Sequence, residues 1–237
     1  MNFKFLDKIL NRNVKYYDHY ISLGYNCEFA YRFFKKYRFV ESSLFTWANS
    51  INITNLINAL ANPNIIFANE PKMAGVMWRC IDSDIRFHGT EPYDMHLNPD
   101  KYLTEDYVLY KQELVQRINH LKEKFKLQIS DDKYTLLTYN YLTNDDKVDI
   151  INNIKKLKKT LEDAGARNFD LLIILQKSNY FICEDKDNIY IRYVDSFAPE
   201  NDVTTECYDK KSWNNILQEF KPNFKLKTTK KFKFEEV

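Results

Sequence analysis

The chain has 237 residues, of which 44% are hydrophobic and 29% are charged, and its formal net charge is +2. This composition is typical of a globular protein, and so small a charge surplus gives no reason to expect a nucleic-acid partner. Because only four residues are glycine, and none stands in the required pattern, the glycine-rich phosphate loops and the serine-hydrolase elbow are absent.

The distribution of cysteine and apolar residues indicates a cellular compartment. The four cysteines are far apart and form no C-x-x-C pair, and the first residues contain no apolar run typical of a signal peptide. No stretch approaches the roughly 18 apolar residues of a membrane span. We therefore expect free thiols, a cytoplasmic location and no contact with a membrane.

The first predicted elements are a short strand and a helix. Residues 21–24 form an apolar run closed by Gly24, which predicts a strand that enters a tight loop. Asn26 is typical of a helix N-cap, and bulky apolar residues then recur at helical spacing as far as Tyr37. A helix should therefore begin at about Cys27.

The middle of the chain predicts two helices separated by a hairpin. A helix over residues 54–61 is ended by an Asn-Pro pair. Residues 76–81 and 85–88 flank an Asp-Ser-Asp turn, which indicates a β-hairpin. Thr104 is a suitable N-cap for a long amphipathic helix that continues to Phe125.

The second half of the chain has the most regular pattern. A strand over residues 134–141 precedes a helix capped by Asn144, and Gly165 suits the left-handed position after that helix. Apolar runs at residues 169–175 and 189–194 predict two further strands. A strand, a helix and a second apolar strand form a βαβ crossover, which requires a parallel pair.

These elements predict the fold class. We expect an α/β protein with one compact domain over residues 1–237, a partly parallel central sheet flanked by helices, and the hairpin near residues 76–88. Lysines alternate with apolar residues over 221–234, which is typical of an edge strand with a charged solvent face. A cationic docking strip for an acidic polymer is the alternative interpretation of that segment.

Cys27 is the strongest candidate for a chemical role. A thiol at a helix N-terminus meets free N–H groups that favour the thiolate and that can bind an oxyanion. Gly24 allows a sharp turn and close approach of a substrate. We place Gly24, Asn26 and Trp47 at the substrate, with Trp47 available to stack on it. The alternative for Cys27 is a small buried side chain with no chemistry.

A cysteine nucleophile needs a base, and the chain has four histidines. His88 ends an apolar strand and precedes a glycine, so its imidazole can face a cleft, whereas His19 is expected to pack and His120 to be solvated. A third group must orient the imidazole. Three residues qualify, with a slight preference for the first: Asp195, Asp94 and Asn140.

A metal site is a weaker interpretation of the same region. His88, Asp94 and His96 fall close together in sequence and have side chains that bind metals. However, their spacing does not follow a helix, and Pro92 interrupts the segment. We expect no metal and no cofactor.

Several short motifs resemble a mainly bacterial family described as papain-like cysteine peptidases. That family has a Ser-Leu-Gly-x-x-Cys segment, matched here by Ser22 to Cys27, and later a strand that ends in histidine, matched by His88. The looser matches are the helix arginines and a Pro-Phe-Asp-Trp-like motif, which has Leu and Thr in place of Pro and Asp here: Arg32, Arg117 and Leu44-Phe45-Thr46-Trp47. The resemblance covers roughly residues 20–175 and implies Cys27 as nucleophile and His88 as base.

Two functions follow as hypotheses. The first is a cysteine-dependent hydrolase or acyl-transfer enzyme with Cys27, His88 and Asp195 as its catalytic residues and a small-molecule, peptide or glycan substrate. The second is an α/β module that binds or processes a sugar or nucleotide-like ligand. The second hypothesis rests on the βαβ half, on the many aromatic residues and on the family's association with surface-polysaccharide genes.

Overall fold

A computed structural model describes residues 14–39, 41–50, 52–75, 77–91, 103–198 and 209–223. In these ranges the elements follow in the order β1 (Lys15–Tyr17), β2 (His19–Ser22), α1 (Glu28–Tyr37), β3 (Ala48–Ser50), α2 (Ile53–Ala61), β4 (Lys72–Ala74), β5 (Met77–Arg79), β6 (Ile85–Phe87), α3 (Thr104–Ser130), β7 (Thr135–Tyr141), α4 (Lys147–Asp163), β8 (Phe169–Gln176), β9 (Ile189–Val194), α5 (Lys210–Glu219) and β10 (Phe220–Pro222). Short 3-10 turns follow α2 and β8.

The central sheet is parallel and has the strand order β2, β7, β8, β9. Alternate side chains of β7 and β8 enter two separate cores. Leu137 and Ile173 belong to the core shared with α2, α3 and α4, while Leu136 and Leu172 belong to the core shared with α1 and α5. Burial on both faces explains why these strands are apolar throughout. The predicted α/β class, with a parallel sheet between helices, is confirmed.

The predicted βαβ unit is present, with a different cap on its helix. α4 packs its apolar stripe on the sheet, and Gly165 has the predicted left-handed conformation with φ +97°. The N-cap is Asp146, whose carboxylate accepts the N–H groups of Val148 and Asp149. Asn144 was therefore the wrong choice. An ionised side chain at this position also interacts favourably with the helix dipole.

The predicted hairpin is part of a larger antiparallel sheet with the order β3, β6, β5, β4. Within it Trp78 pairs with Phe87 across the hairpin, and Ala48 pairs with the same residue from the other side. The two added strands have three residues each and little apolar pattern. This sheet shares its core with α2 and α3, so the strand before His88 is firmly anchored.

The described part of the C-terminus returns to the start of the fold. α5 packs in the same core as α1, and β10 pairs in parallel with β1. The predicted lysine-rich edge strand lies mostly outside the described residues, from residue 224 onward. Among the described helices, none combines the length and the apolar character that crossing a bilayer requires.

Candidate functional site

Cys27 lies in the tight loop that joins β2 to α1, at the carboxyl edge of the parallel sheet. Gly24 and Tyr25 both have left-handed backbones, with φ +98° and +68°. Such a conformation is uncommon for tyrosine and costs about 1–2 kcal/mol. The Tyr25 N–H donates to Ser50 Oγ at 3.4 Å, which helps to hold the turn. The result is that Cys27, and not the predicted Asn26, is the N-cap of α1.

Two buried amide side chains meet beside this loop. Asn140 at the end of β7 donates to Asn26 Oδ1 at 2.7 Å, and the same oxygen accepts the Glu28 N–H at 3.2 Å. Asn26 is 4% exposed and Asn140 is 1% exposed. Asn26 Nδ2 and Asn140 Oδ1 are buried without a partner among the described residues. One donor and one acceptor therefore remain for a polar group at the edge where α/β proteins bind ligands.

A buried carboxylate follows Cys27 directly. The Glu28 side chain is fully buried, and its Oε1 accepts both Nε and Nη2 of Arg32, at 3.3 and 3.1 Å. Its other oxygen accepts the Ala198 N–H at 2.9 Å. Glu28 thus ties the first turn of α1 to the segment after β9, and it fixes the position of Cys27.

The environment of the Cys27 thiol opposes ionisation. Burial raises the pKa of the thiol to about 11, and the charge of Glu28 raises it further, while a backbone hydrogen bond acts in the opposite direction. His88 is not among the groups that set this pKa. The expectation that the helix N-terminus makes Cys27 a thiolate is therefore wrong, because desolvation outweighs the effect of the helix N–H groups.

His88 lies at a different place, directly after β6. It lines a cavity of about 270 Å³ together with Trp47 and Arg117, and Cys27 does not line this cavity. The Arg117 guanidinium donates to the carbonyl oxygens of His88 and, at 3.5 Å, Gly89. Burial lowers the pKa of Arg117. The structure thus joins Trp47 with His88, while Gly24, Asn26 and Cys27 form a separate group.

The two groups adjoin through one backbone segment. A Cβ placed on Gly24 would lie 3.5 Å from the Ala48 carbonyl oxygen, so the loop before Cys27 rests on β3. Ala48 is in turn the register partner of Phe87, the residue before His88. The strand pair that carries Trp47 and His88 is therefore the direct neighbour of the Cys27 loop.

Asp195 occupies the predicted position at the end of β9 but has other partners. Its exposed carboxylate forms an ion pair with Lys177, and its N–H donates to the Asp209 carboxylate. The hydrogen bond from Lys177 lowers the pKa of Asp195. The preference for Asp195 as the group that orients His88 gains no support from these contacts. Asp94 lies outside the described residues, and Asn140 contacts the Cys27 loop.

The Glu28–Arg32 ion pair and the ionic contacts of His19 were not predicted from the sequence. Glu28 and Arg32 are four residues apart, and this spacing of a helical ion pair was a signal in the sequence. His19 was expected to pack, yet its Nδ1 lies 2.7 Å from Glu41 and its Nε2 lies 3.5 Å from Asp131. No local pattern predicts the contacts of His19, because they join distant parts of the chain.

The described residues contain no cluster of three or more His, Cys, Asp or Glu side chains that could hold a metal ion. The metal interpretation involves Asp94 and His96, which lie outside those residues.

No protein-family model, curated protein or solved structure matches the chain.

Proposed function

We propose that the protein is a cysteine-dependent hydrolase or acyl-transfer enzyme with Cys27 as its nucleophile. The observation that carries the proposal is the placement of Cys27 as the N-cap of α1, at the carboxyl edge of a parallel sheet and after a strained turn. Strained backbone and helix N-termini both concentrate at reactive sites. The Glu28 N–H is taken by Asn26, and the N–H groups that follow it in the first turn of α1 supply donors for an oxyanion.

The thiol pKa of about 11 determines the kind of chemistry. At pH 7 only about one thiol in 10⁴ is ionised, so a stable thiolate–imidazolium pair does not supply the nucleophile. Instead a base must remove the proton as the sulfur attacks. His88 is the proposed base, because it lies on the strand pair that adjoins the Cys27 loop.

The proposed reaction has two steps, acylation of Cys27 and deacylation of the thioester. The Cys27 S–H proton passes to the His88 imidazole while sulfur bonds to the acyl carbonyl carbon, and the bond to the leaving group breaks as that group takes the proton. Water, or an acceptor hydroxyl or amine, then attacks the thioester with the imidazole again as base. This restores the thiol and releases an acid or a transferred acyl group.

Trapping of an acyl group on Cys27 tests the proposal. The protein is incubated with p-nitrophenyl acetate and with an acetyl thioester, and the adduct is located by mass spectrometry of peptides. We expect acetylation of Cys27 and release of the leaving group. Cys27→Ala should abolish both. Cys183→Ser is the matched control, because Cys183 is exposed and distant in sequence. Acylation spread over Cys27 and Cys183 at equal rates would contradict a specific nucleophile.

A second function is favoured by the amide pair beside Cys27. The unpartnered Asn26 Nδ2 and Asn140 Oδ1 match the donor and acceptor groups of a sugar or a nucleobase. In this alternative the site binds such a ligand without using the thiol. Thermal stabilisation of Cys27→Ala and wild type to the same extent by one sugar or nucleoside, together with no acyl adduct, would favour binding over catalysis.

A further inference from the structure

A groove between α1 and α5 is lined by positively charged side chains. It has a volume of about 260 Å³, and its cationic lining residues are Arg32, Lys35, Lys36, Arg38 and Lys210. Tyr31 and Trp213 supply aromatic walls, and none of the described lining residues is acidic. Such a concentration of one charge in a concave site raises the local concentration of anions.

The two helices hold the groove in a fixed shape. Phe29 of α1 lies near Trp213 of α5, with ring centroids 6.4 Å apart, and the Tyr37 hydroxyl donates to the Leu217 carbonyl. The Lys36 ammonium donates to the Asn214 carbonyl at 3.0 Å and bridges the two walls. The groove is therefore a pre-formed feature of packed helices.

Two of the cationic side chains in the groove, Arg38 and Lys210, have no ion pair with the described residues, whereas Arg32 is paired with Glu28. Burial, and after it the nearby charge of Lys221, lowers the pKa of Lys36. An anion in the groove would offset the positive charge of its lining residues.

We propose that this groove binds the phosphate or diphosphate group of a small molecule. Arginine and lysine donors on both walls suit the several oxygens of a phosphate, and charge-assisted hydrogen bonds of this kind are the strong ones. The volume suits a diphosphate or a sugar phosphate.

The groove is separate from the nucleophile. Tyr31 is one helical turn beyond Cys27, since its N–H donates to the Cys27 carbonyl, and its side chain belongs to the groove. Phosphate binding does not require the thiol. Cys27→Ala should therefore bind as the wild type does, and this separates a failure of the groove from a failure of the proposed chemistry.

Calorimetric titration of the full chain tests the groove, with inorganic diphosphate, inorganic phosphate and glucose 1-phosphate as probes. The key variant is Arg38→Ala combined with Lys210→Ala, because both side chains are exposed and lack a described ion pair. Its matched control is Lys126→Ala combined with Lys156→Ala, two exposed lysines on other helices. Vesicles of phosphatidylcholine with phosphatidic acid distinguish a lipid headgroup from a free phosphate.

We expect saturable diphosphate binding at one site that weakens about tenfold to a hundredfold in the groove variant, remains unchanged in the control and declines with added salt. Unfolding midpoints of both variants near that of wild type establish that the groove variant is folded. Binding that is equal in the groove variant and the control, or no binding of any probe to the folded wild type, would overturn the proposal. Binding to vesicles but not to the soluble probes would overturn the small-molecule assignment.

Discussion

Removal of the Glu28 carboxylate should destabilise the protein strongly. Glu28 is fully buried, and Arg32, its partner, has a side chain only 8% exposed. Glu28→Ala leaves that guanidinium without its anion and the Ala198 N–H without its acceptor. Breaking a buried pair from one side costs about 3–5 kcal/mol. This is a large share of the 5–15 kcal/mol that stabilises a typical domain.

Glu28→Gln separates the loss of charge from the loss of the acceptor. The amide keeps an oxygen for Arg32 or Ala198, and burial already raises the pKa of Glu28 and so favours its neutral form. We therefore expect a smaller destabilisation, about 1–3 kcal/mol. Both substitutions also remove the negative charge that helps to raise the pKa of Cys27, so this pKa should fall below about 11.

Two measurements check this prediction on the same samples. Denaturant unfolding gives the change in stability. The pH dependence of alkylation by iodoacetamide, followed by mass spectrometry of the Cys27 peptide, gives the pKa of the Cys27 thiol. Glu184→Gln is the control, because Glu184 is an exposed glutamate that follows Cys183. If Glu28→Ala unfolds within about 1 kcal/mol of wild type, the buried pair does not anchor α1 and the reasoning fails.

Three further substitutions test the stability of the fold. Gly24→Ala places an alanine at φ +98°, where its Cβ would lie 3.5 Å from the nearest atoms and would not clash. Backbone strain alone should therefore lower the free energy of unfolding by about 1–2 kcal/mol, measured with denaturant. An unchanged stability would show that the backbone at residue 24 is not strained by a side chain. The hydrogen bond to Glu41 raises the pKa of His19 in the folded protein. Protonated His19 therefore stabilises the fold fully below about pH 6.5, and this contribution is lost as pH rises through the folded pKa. His19→Asn should flatten the resulting decline in the free energy of unfolding. Asp170 accepts hydrogen bonds from the hydroxyls of Tyr17 and Tyr134, at 2.6 and 2.7 Å. Asp170→Leu removes this acceptor, and the free energy of unfolding should fall by about 3–5 kcal/mol. An unchanged midpoint of thermal unfolding would contradict this expectation.

Local patterns in the sequence predict the parallel half of the fold well. The apolar strands β7 and β8 and the helix between them have the periodicities of buried strands and an amphipathic helix, and the structure confirms all three. β3 and β4 were missed because each has only three residues with little apolar pattern, and β3 is held by pairing with a distant segment, β6. Helix starts moved by one or two residues, since Asn26 and Asn144 compete with neighbouring residues for the cap.

The candidate site was predictable in its parts and not in its arrangement. The turn before Cys27 and the strand end at His88 follow from adjacent residues. The contact between Asn26 and Asn140 spans 114 positions, so no spacing argument reveals it. The thiol pKa was predicted in the wrong direction because burial depends on packing that a local pattern does not contain.

The pH dependence of Cys27 acylation, measured in wild type and His88→Gln, tests whether His88 is the base that activates Cys27. If His88 is the base, the wild-type rate should rise through the range in which an imidazole titrates, at about pH 6.5. In His88→Gln the rate near neutral pH should fall by about 10²–10⁴-fold. It should then recover only as the thiol itself ionises, toward about pH 11. Superimposable profiles for the two proteins would contradict the pairing of Cys27 with His88.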